Sequence, residues 1–349
     1  MEPLRAVFLV VIVFSCGLTA ETTKKVVDLQ SRDYSALYNF GDSNSDTGGM
    51  AAAFFPMIAP CGETYIHRLA GRGFDGRLII DVIGMLQLMF APLNSAEHLA
   101  LPLLSPYLDS VGTSFRHGAN FATGGATIRR QNESWFQTGV SPFPLDIQVE
   151  HYPQFKARTA YFYNQGRRNP ELKTNIRWSH WLLSVATIKV QNPEPGYLDD
   201  HGCKTSQNHM AVKFNKKLKH SIIQLRAELS EATITYVDMY RAKYDLIRNA
   251  KEQGTLLSNQ CNAKEEGFEN PFKICCGLHG IDFDVWCSKK ATINGSEVYA
   301  GSCAKPSAII SWDGVHYSQA ANNWIASRIV NGSLSDPPMP ITQACRKKI

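Results

Sequence analysis

Three short stretches carry residue types able to do nucleophilic chemistry. The first, Phe40-Gly41-Asp42-Ser43-Asn44-Ser45-Asp46-Thr47-Gly48, places a serine just past the apolar, aromatic run Ala36 to Phe40. A serine hydroxyl is a poor nucleophile unless it is exposed beside a base. The end of a buried strand is where an open α/β sheet presents groups to a ligand. Gly41 lets the chain turn there, which frees the Ser43 amide to donate to an oxyanion. The second stretch, Trp312-Asp313-Gly314-Val315-His316, supplies a base. One short loop can bring the Asp313 carboxylate to the His316 imidazole, fix its tautomer and stabilise the imidazolium. The third, Gly118-Ala119-Asn120-Phe121-Ala122-Thr123-Gly124-Gly125-Ala126, has glycines that let backbone N–H groups approach a substrate oxygen. Each has an ordinary reading when taken alone. Asp, Ser and Asn are turn formers, and His316 is one of ten histidines.

These residues need elements to hold them. Ala36 to Phe40 reads as a buried first strand stopped by Gly41-Asp42. Leu78, Ile79, Val82, Ile83 and Leu86 recur at helical spacing across Gly76 to Leu88. Phe115 to Thr123 is a second strand candidate, broken by Gly124-Gly125. Val212 to Leu229 is a long helix with Phe214, Leu218, Ile222 and Leu225 on one face. Thr233 to Val237 is a β-branched strand, and a helix follows around Tyr240 to Ala250. Gly267 to Cys303 is loop-rich and cysteine-rich, and Ala321 to Val330 is a terminal helix. Strands alternating with helices argue for an α/β layer fold with a parallel sheet.

The chain has 349 residues, 44% of them hydrophobic, enough for one large domain with a sizeable core. Its formal net charge of +5 is spread along the chain. Lys213, Lys216, Lys217, Lys219 and His220 form a solvated helix stripe. No basic block interleaved with aromatics points to nucleic acid. Arg5, the apolar run Ala6 to Gly17 and the small residues up to Ala20 read as a secretory leader over residues 1–20. No later run is long enough to cross a membrane. Residues 21–349 then form a single domain. Export makes disulfides the expected state of the eight cysteines outside the leader: Cys61, Cys203, Cys261, Cys275, Cys276, Cys287, Cys303 and Cys345. The neighbours Cys275 and Cys276 need separate partners. His201, Cys203 and His209 leave a zinc reading open, though their spacing is irregular for one. Asn132, Asn294 and Asn331 each begin an N-glycosylation sequon.

Together the three stretches resemble the plant GDSL esterase/lipases of the SGNH-hydrolase superfamily. FGDSNSDTG, GANFATGGATI and WDGVH are similar to three of that family's four signature blocks, in the family's order. GRLIID, PGYLDDHGC, CCG and NGSEVY resemble the same plant branch. The resemblance implies a flavodoxin-like three-layer α/β/α sandwich, an extracellular location and hydrolysis of ester bonds. It implies Ser43 as nucleophile, His316 as base, Asp313 as its orienting partner, and the amides of Ser43 and Gly124 as oxyanion donors. It implies no metal or organic cofactor. Small-molecule, lipid or carbohydrate esters are the expected substrates, cleaved through an acyl-serine intermediate. The alternative is a catalytically impaired secreted glycoprotein on the same scaffold.

The fourth block, a strand ending in Gly-x-Asn-Asp, has no counterpart between Gly125 and Thr233. Its Asn would be a third oxyanion donor. In the family two strands and their helices precede the PGYLDDHGC-like stretch. Here residues 167–194 offer one apolar run, Trp181 to Val190. An internal deletion, a sheet short of strands and low stability are therefore expected.

Overall fold

The structure is a computed structural model. It describes residues 10–15, 36–89, 103–109, 111, 113–115, 118–132, 139–164, 175–180, 194–229, 232–251, 267–280 and 282–340. Its main sheet holds six strands: β1 (Val10–Ser15), β2 (Leu37–Gly41), β3 (Gly118–Asn120), β4 (Asn175–His180), β5 (Ala232–Val237) and β10 (Ser335–Asp336). The spatial order is β10-β5-β1-β4-β2-β3. Two hairpins stand apart, β6 (Gly277–His279) with β7 (Asp284–Trp286), and β8 (Lys290–Ile293) with β9 (Ser296–Tyr299). The helices are α1 (Gly49–Ala53), α2 (Ile79–Met89), α3 (Leu145–Asn164), α4 (Thr205–Glu228), α5 (Met239–Arg248) and α6 (Gln319–Val330).

The alternation of strand side chains explains how the helices attach. Leu37 and Val237 join a core with Ile79, Ile83, Leu246, Trp324 and Ile325, from α2, α5 and α6. Tyr38 and Phe40, on the other parity of β2, pack with Tyr152 and Phe155 of α3. Ile234 and Tyr236 of β5 pack with Ile222 of α4. Helix starts follow local rules: the Asp238 side chain caps α5 by accepting from Arg241 N–H, and Ser318 caps α6 by accepting from Ala321 N–H.

The α/β reading and most elements stand, with corrections. The parallel expectation holds for β2 with β3 and β2 with β4. It fails at β1, which runs antiparallel to both β4 and β5, and at β10, antiparallel to β5. The reason is β1 itself. Its β-branched residues, inside the run read as a leader, fit a strand as well as they fit a leader. The strand near the atypical segment is Asn175–His180, before Trp181 to Val190, a run outside the described residues. The Phe115 to Thr123 candidate shortens to Gly118–Asn120. Gly118 sits at φ 111°, with Leu37 O only 1.8 Å from where a Cβ would stand, so only glycine lets the two chains approach. The sequence reading missed α3, which carries Pro153 inside it. Among the described residues, no helix is long and apolar enough to cross a membrane.

Two bridges staple the C-terminal hairpins, Cys275–Cys303 and Cys276–Cys287, so the neighbouring cysteines do take separate partners. The expectation that all eight pair is corrected at Cys61 and Cys203, which are free. Burial pushes both thiols up to about 11, so they stay protonated and unreactive. Cys261 and Cys345 lie outside the described residues. Denatured, unreduced protein is expected to release at least these two thiols to a thiol reagent. A titration showing none would restore full pairing.

Candidate active site

Ser43 follows β2 at the sheet's C-terminal edge, on a turn locked from three sides. Gln148 of α3 grips the residue at its root: Gly41 N–H donates to Oε1 and Nε2 donates to Gly41 O, each at 2.8 Å. Asn39 of β2 and Asn120 of β3 reach over the turn. Asn39 Nδ2 donates to Asn120 Oδ1 at 2.7 Å, and both asparagine amides donate to Ser45 O, at 3.1 and 2.6 Å. Buried Asp46 gathers the far side, accepting from the N–H groups of Gly48 (2.8 Å), Met50 (3.0 Å) and Gly124 (2.7 Å). Gly48, at φ 137°, makes the bend that lets Asp46 cap α1. Most polar groups of this buried turn therefore have work within the protein, as burial demands; among the described residues Asn39 Oδ1 and Ser45 Oγ are the exceptions. The Ser43 amide is different, since it makes no hydrogen bond to a described residue, and Ser43 itself is only half-buried.

The base loop is equally fixed. Asp313 Oδ1 accepts from Val315 N–H at 2.9 Å and His316 N–H at 2.7 Å, while Oδ2 meets His316 Nδ1 at 2.6 Å. The stapled segment supports the loop from behind: Cys275 N–H donates to Ser311 O, and Cys276 N–H to Trp312 O. The Phe74 ring stacks on the imidazole, with 6.1 Å between centroids. His316 Nε2 is buried without a hydrogen-bond partner among the described residues, so base and Ser43 are not hydrogen-bonded in this conformation. Catalytic contacts often close only around substrate.

Electrostatics match this geometry. Burial opposes ionisation of both partners, but the Asp313–His316 contact outweighs it. The carboxyl is held below its usual range and the imidazole above its own, with Asp42 and Asp46 adding to the rise at His316. A base must be neutral to take a proton. The acid limb of kcat/KM is therefore expected above the ordinary imidazole value of about 6.5. A limb at or below that value would show that His316 is not the titrating base.

The sequence-derived Ser43, Asp313, His316 and Gly124 all lie in this one region. Gly124, however, spends its N–H on Asp46. Next along the chain, half-buried Gly125 at φ 75° makes no donor hydrogen bond to a described residue. Asn39, Asp46, Asn120 and Gln148 escaped the sequence reading. Asn132, Asn294 and Asn331 are all exposed, Asn294 at the tip of the β8–β9 hairpin and Asn331 at the end of α6.

A family model described as GDSL-like Lipase/Acylhydrolase matches residues 37–174 and 170–329, nearly the whole described chain. The chain belongs to the GDSL esterase/lipase family. A GDSL esterase/lipase of Arabidopsis thaliana is 43% identical over 376 residues, covering 90% of each chain. A protein named Esterase from Hevea brasiliensis is 36% identical, again over 90% of each. A protein named Alpha-L-fucosidase 3 from Arabidopsis thaliana is 34% identical over 90% of this chain and 93% of its own. As a GDSL esterase/lipase, the chain is a serine esterase/lipase acting on ester bonds.

Proposed function

We propose that this GDSL esterase/lipase is a secreted hydrolase that cleaves carboxylic esters through an acyl-serine intermediate. The observation that carries the proposal is the Asp313–His316 contact, which leaves Nε2 buried beside the nucleophile turn with no partner among the described residues. With Nδ1–H donating to Asp313, Nε2 is the acceptor and takes the Ser43 proton as Oγ attacks the ester carbonyl. The imidazolium then returns the proton to the leaving alcohol. Water repeats the cycle on the acyl-enzyme and releases the acid. The oxyanion is met by the Ser43 amide and, because Gly124 is engaged with Asp46, by the amide of Gly125. Asn39, Asn44 and Asn120 have their side chains committed to the turn, so none is free to act as the third donor. Without that donor turnover falls by about 10²–10³.

Three further expectations belong with this reading. Helices on both parities of the strands support a flavodoxin-like three-layer arrangement. The leader-like N-terminus and the exposed Asn132, Asn294 and Asn331 support export and glycosylation. An internal deletion around 167–194 is supported by the family match falling in two stretches that meet at 170–174, and by an alignment of 376 positions against a chain of 349.

A fluorophosphonate ester probe is expected to label Ser43 in folded protein, and Ser43→Ala to lose labelling. Mass spectrometry finding the adduct on another serine would remove Ser43 from the mechanism. Parallel assays with aryl acetate and aryl fucoside should show turnover of the ester alone. Turnover of the fucoside would turn the assignment toward glycoside chemistry.

A further inference from the structure

Helix α5 carries one buried amine, Lys243, between the two proposed catalytic segments. Its other buried residues, Met239, Ala242, Leu246 and Ile247, are apolar. Lys243 is 2% exposed, and its Nζ has no hydrogen-bond acceptor among the described residues. That Nζ lies 4.9 Å from the centroid of the Tyr317 ring, close enough for attraction between cation and ring face. Its charge also bears on buried Asp42. Asp42 immediately precedes Ser43, and Tyr317 immediately follows His316.

We infer that Lys243 is a positioning residue: its ammonium ties the Asp42 end of the nucleophile turn to the Tyr317 end of the base loop and offsets the carboxylate charge around His316. The inference rests on the roles proposed above for Ser43 and His316.

The charges facing the imidazole are Asp313 from its own loop and Asp42 and Asp46 from the nucleophile turn. Lys243, from α5, opposes Asp42. Burial pushes the Asp42 carboxyl up to about 6 and the Lys243 ammonium well down, and each counters the other's drift toward neutrality. A buried charge stripped of its partner neutralises by taking up or losing a proton. Without Lys243, Asp42 and His316 together bind a proton more readily, whichever of the two holds it. A proton on Asp42 weakens its carboxylate as acceptor for Asn44 N–H, a 3.0 Å bond that shapes the turn under Ser43. A proton on His316 removes the base. Either way the site fails at a higher pH.

The test is the pH dependence of probe labelling at Ser43, with the His316 imidazole titration followed by NMR in the full chain. Lys243→Met is expected to move the acid limb and the imidazole midpoint to higher pH and to slow labelling at neutral pH by about tenfold. The double variant Asp42→Asn/Lys243→Met, which removes both charges, is expected to bring both back toward wild type. An unmoved limb and midpoint in Lys243→Met would overturn the inference. So would a double variant as displaced as the single one. If Lys243→Met does not fold, Asp42→Asn alone leaves the cation unopposed and should lower the His316 midpoint; no change there would also overturn it. Wild-type protein that is never labelled would strike the ester-hydrolase reading, while the NMR midpoint still judges Lys243.

Discussion

Asp313→Asn is expected to lower kcat by about 10⁴ while leaving KM within about threefold. The carboxylate accepts on both oxygens. Oδ1 takes the Val315 and His316 N–H groups, and Oδ2 takes the imidazole Nδ1–H at 2.6 Å. An asparagine that keeps its one oxygen on the backbone pair must turn its NH₂ toward Nδ1. Nδ1 then becomes the acceptor and the ring proton moves to Nε2. An Nε2 that already carries a proton cannot take one from Ser43. The substitution blocks the proton transfer and not the approach of substrate, so the chemical step is expected to suffer far more than binding. Steady-state kinetics on an aryl acetate decide the point. Near-wild-type kcat would remove Asp313 from the mechanism.

Asp81→Ala is expected to cost about 3–5 kcal/mol of stability, the largest loss foreseen for a single side chain away from the chemistry. Arg72 and Asp81 form a two-pronged pair at 2.9 and 2.7 Å, with side chains 3% and 0% exposed. Asp81 also accepts from Leu78 N–H at the start of α2. Removing it strands a buried guanidinium that cannot lose its charge. The damage should reach the site, because Arg72 leads into Gly73 and Phe74, and the Phe74 ring lies on His316. Urea unfolding with a midpoint near wild type would refute the estimate. The double variant Arg72→Met/Asp81→Leu, which removes both charges, should recover most of the loss.

The residues proposed for catalysis stand out in sequence because chemistry constrains them locally. Asp313 and His316 share one short loop, and Ser43 sits where a strand gives way to a polar turn. The scaffold that aims them is non-local. Asn39 meets Asn120 across two strands, and Gln148 reaches Gly41 from a helix 107 residues away in sequence. No periodicity announces such pairs. Helix α3 was missed because Pro153 interrupts it and its polar residues blur the apolar face. The sequence points to Gly124 and does not reveal that Asp46 accepts its N–H. The β1 strand was hidden for a different reason: an apolar, β-branched run satisfies two physical roles, and composition alone does not choose between them.

That double role has a consequence for the life of the polypeptide. The residues that would direct export are the same residues that fill the middle of the sheet, each facing a partner on both sides, as Ile12 faces Trp178 and Thr235. A peptidase that removed these residues would take a sheet strand with them. The exported molecule would then hold β4 and β5 with bare backbone edges facing each other across an empty lane, a shape that invites a foreign strand. A copy that kept these residues would keep β1 between β4 and β5. If these residues act as a leader, its removal and completion of the sheet compete for one stretch of chain.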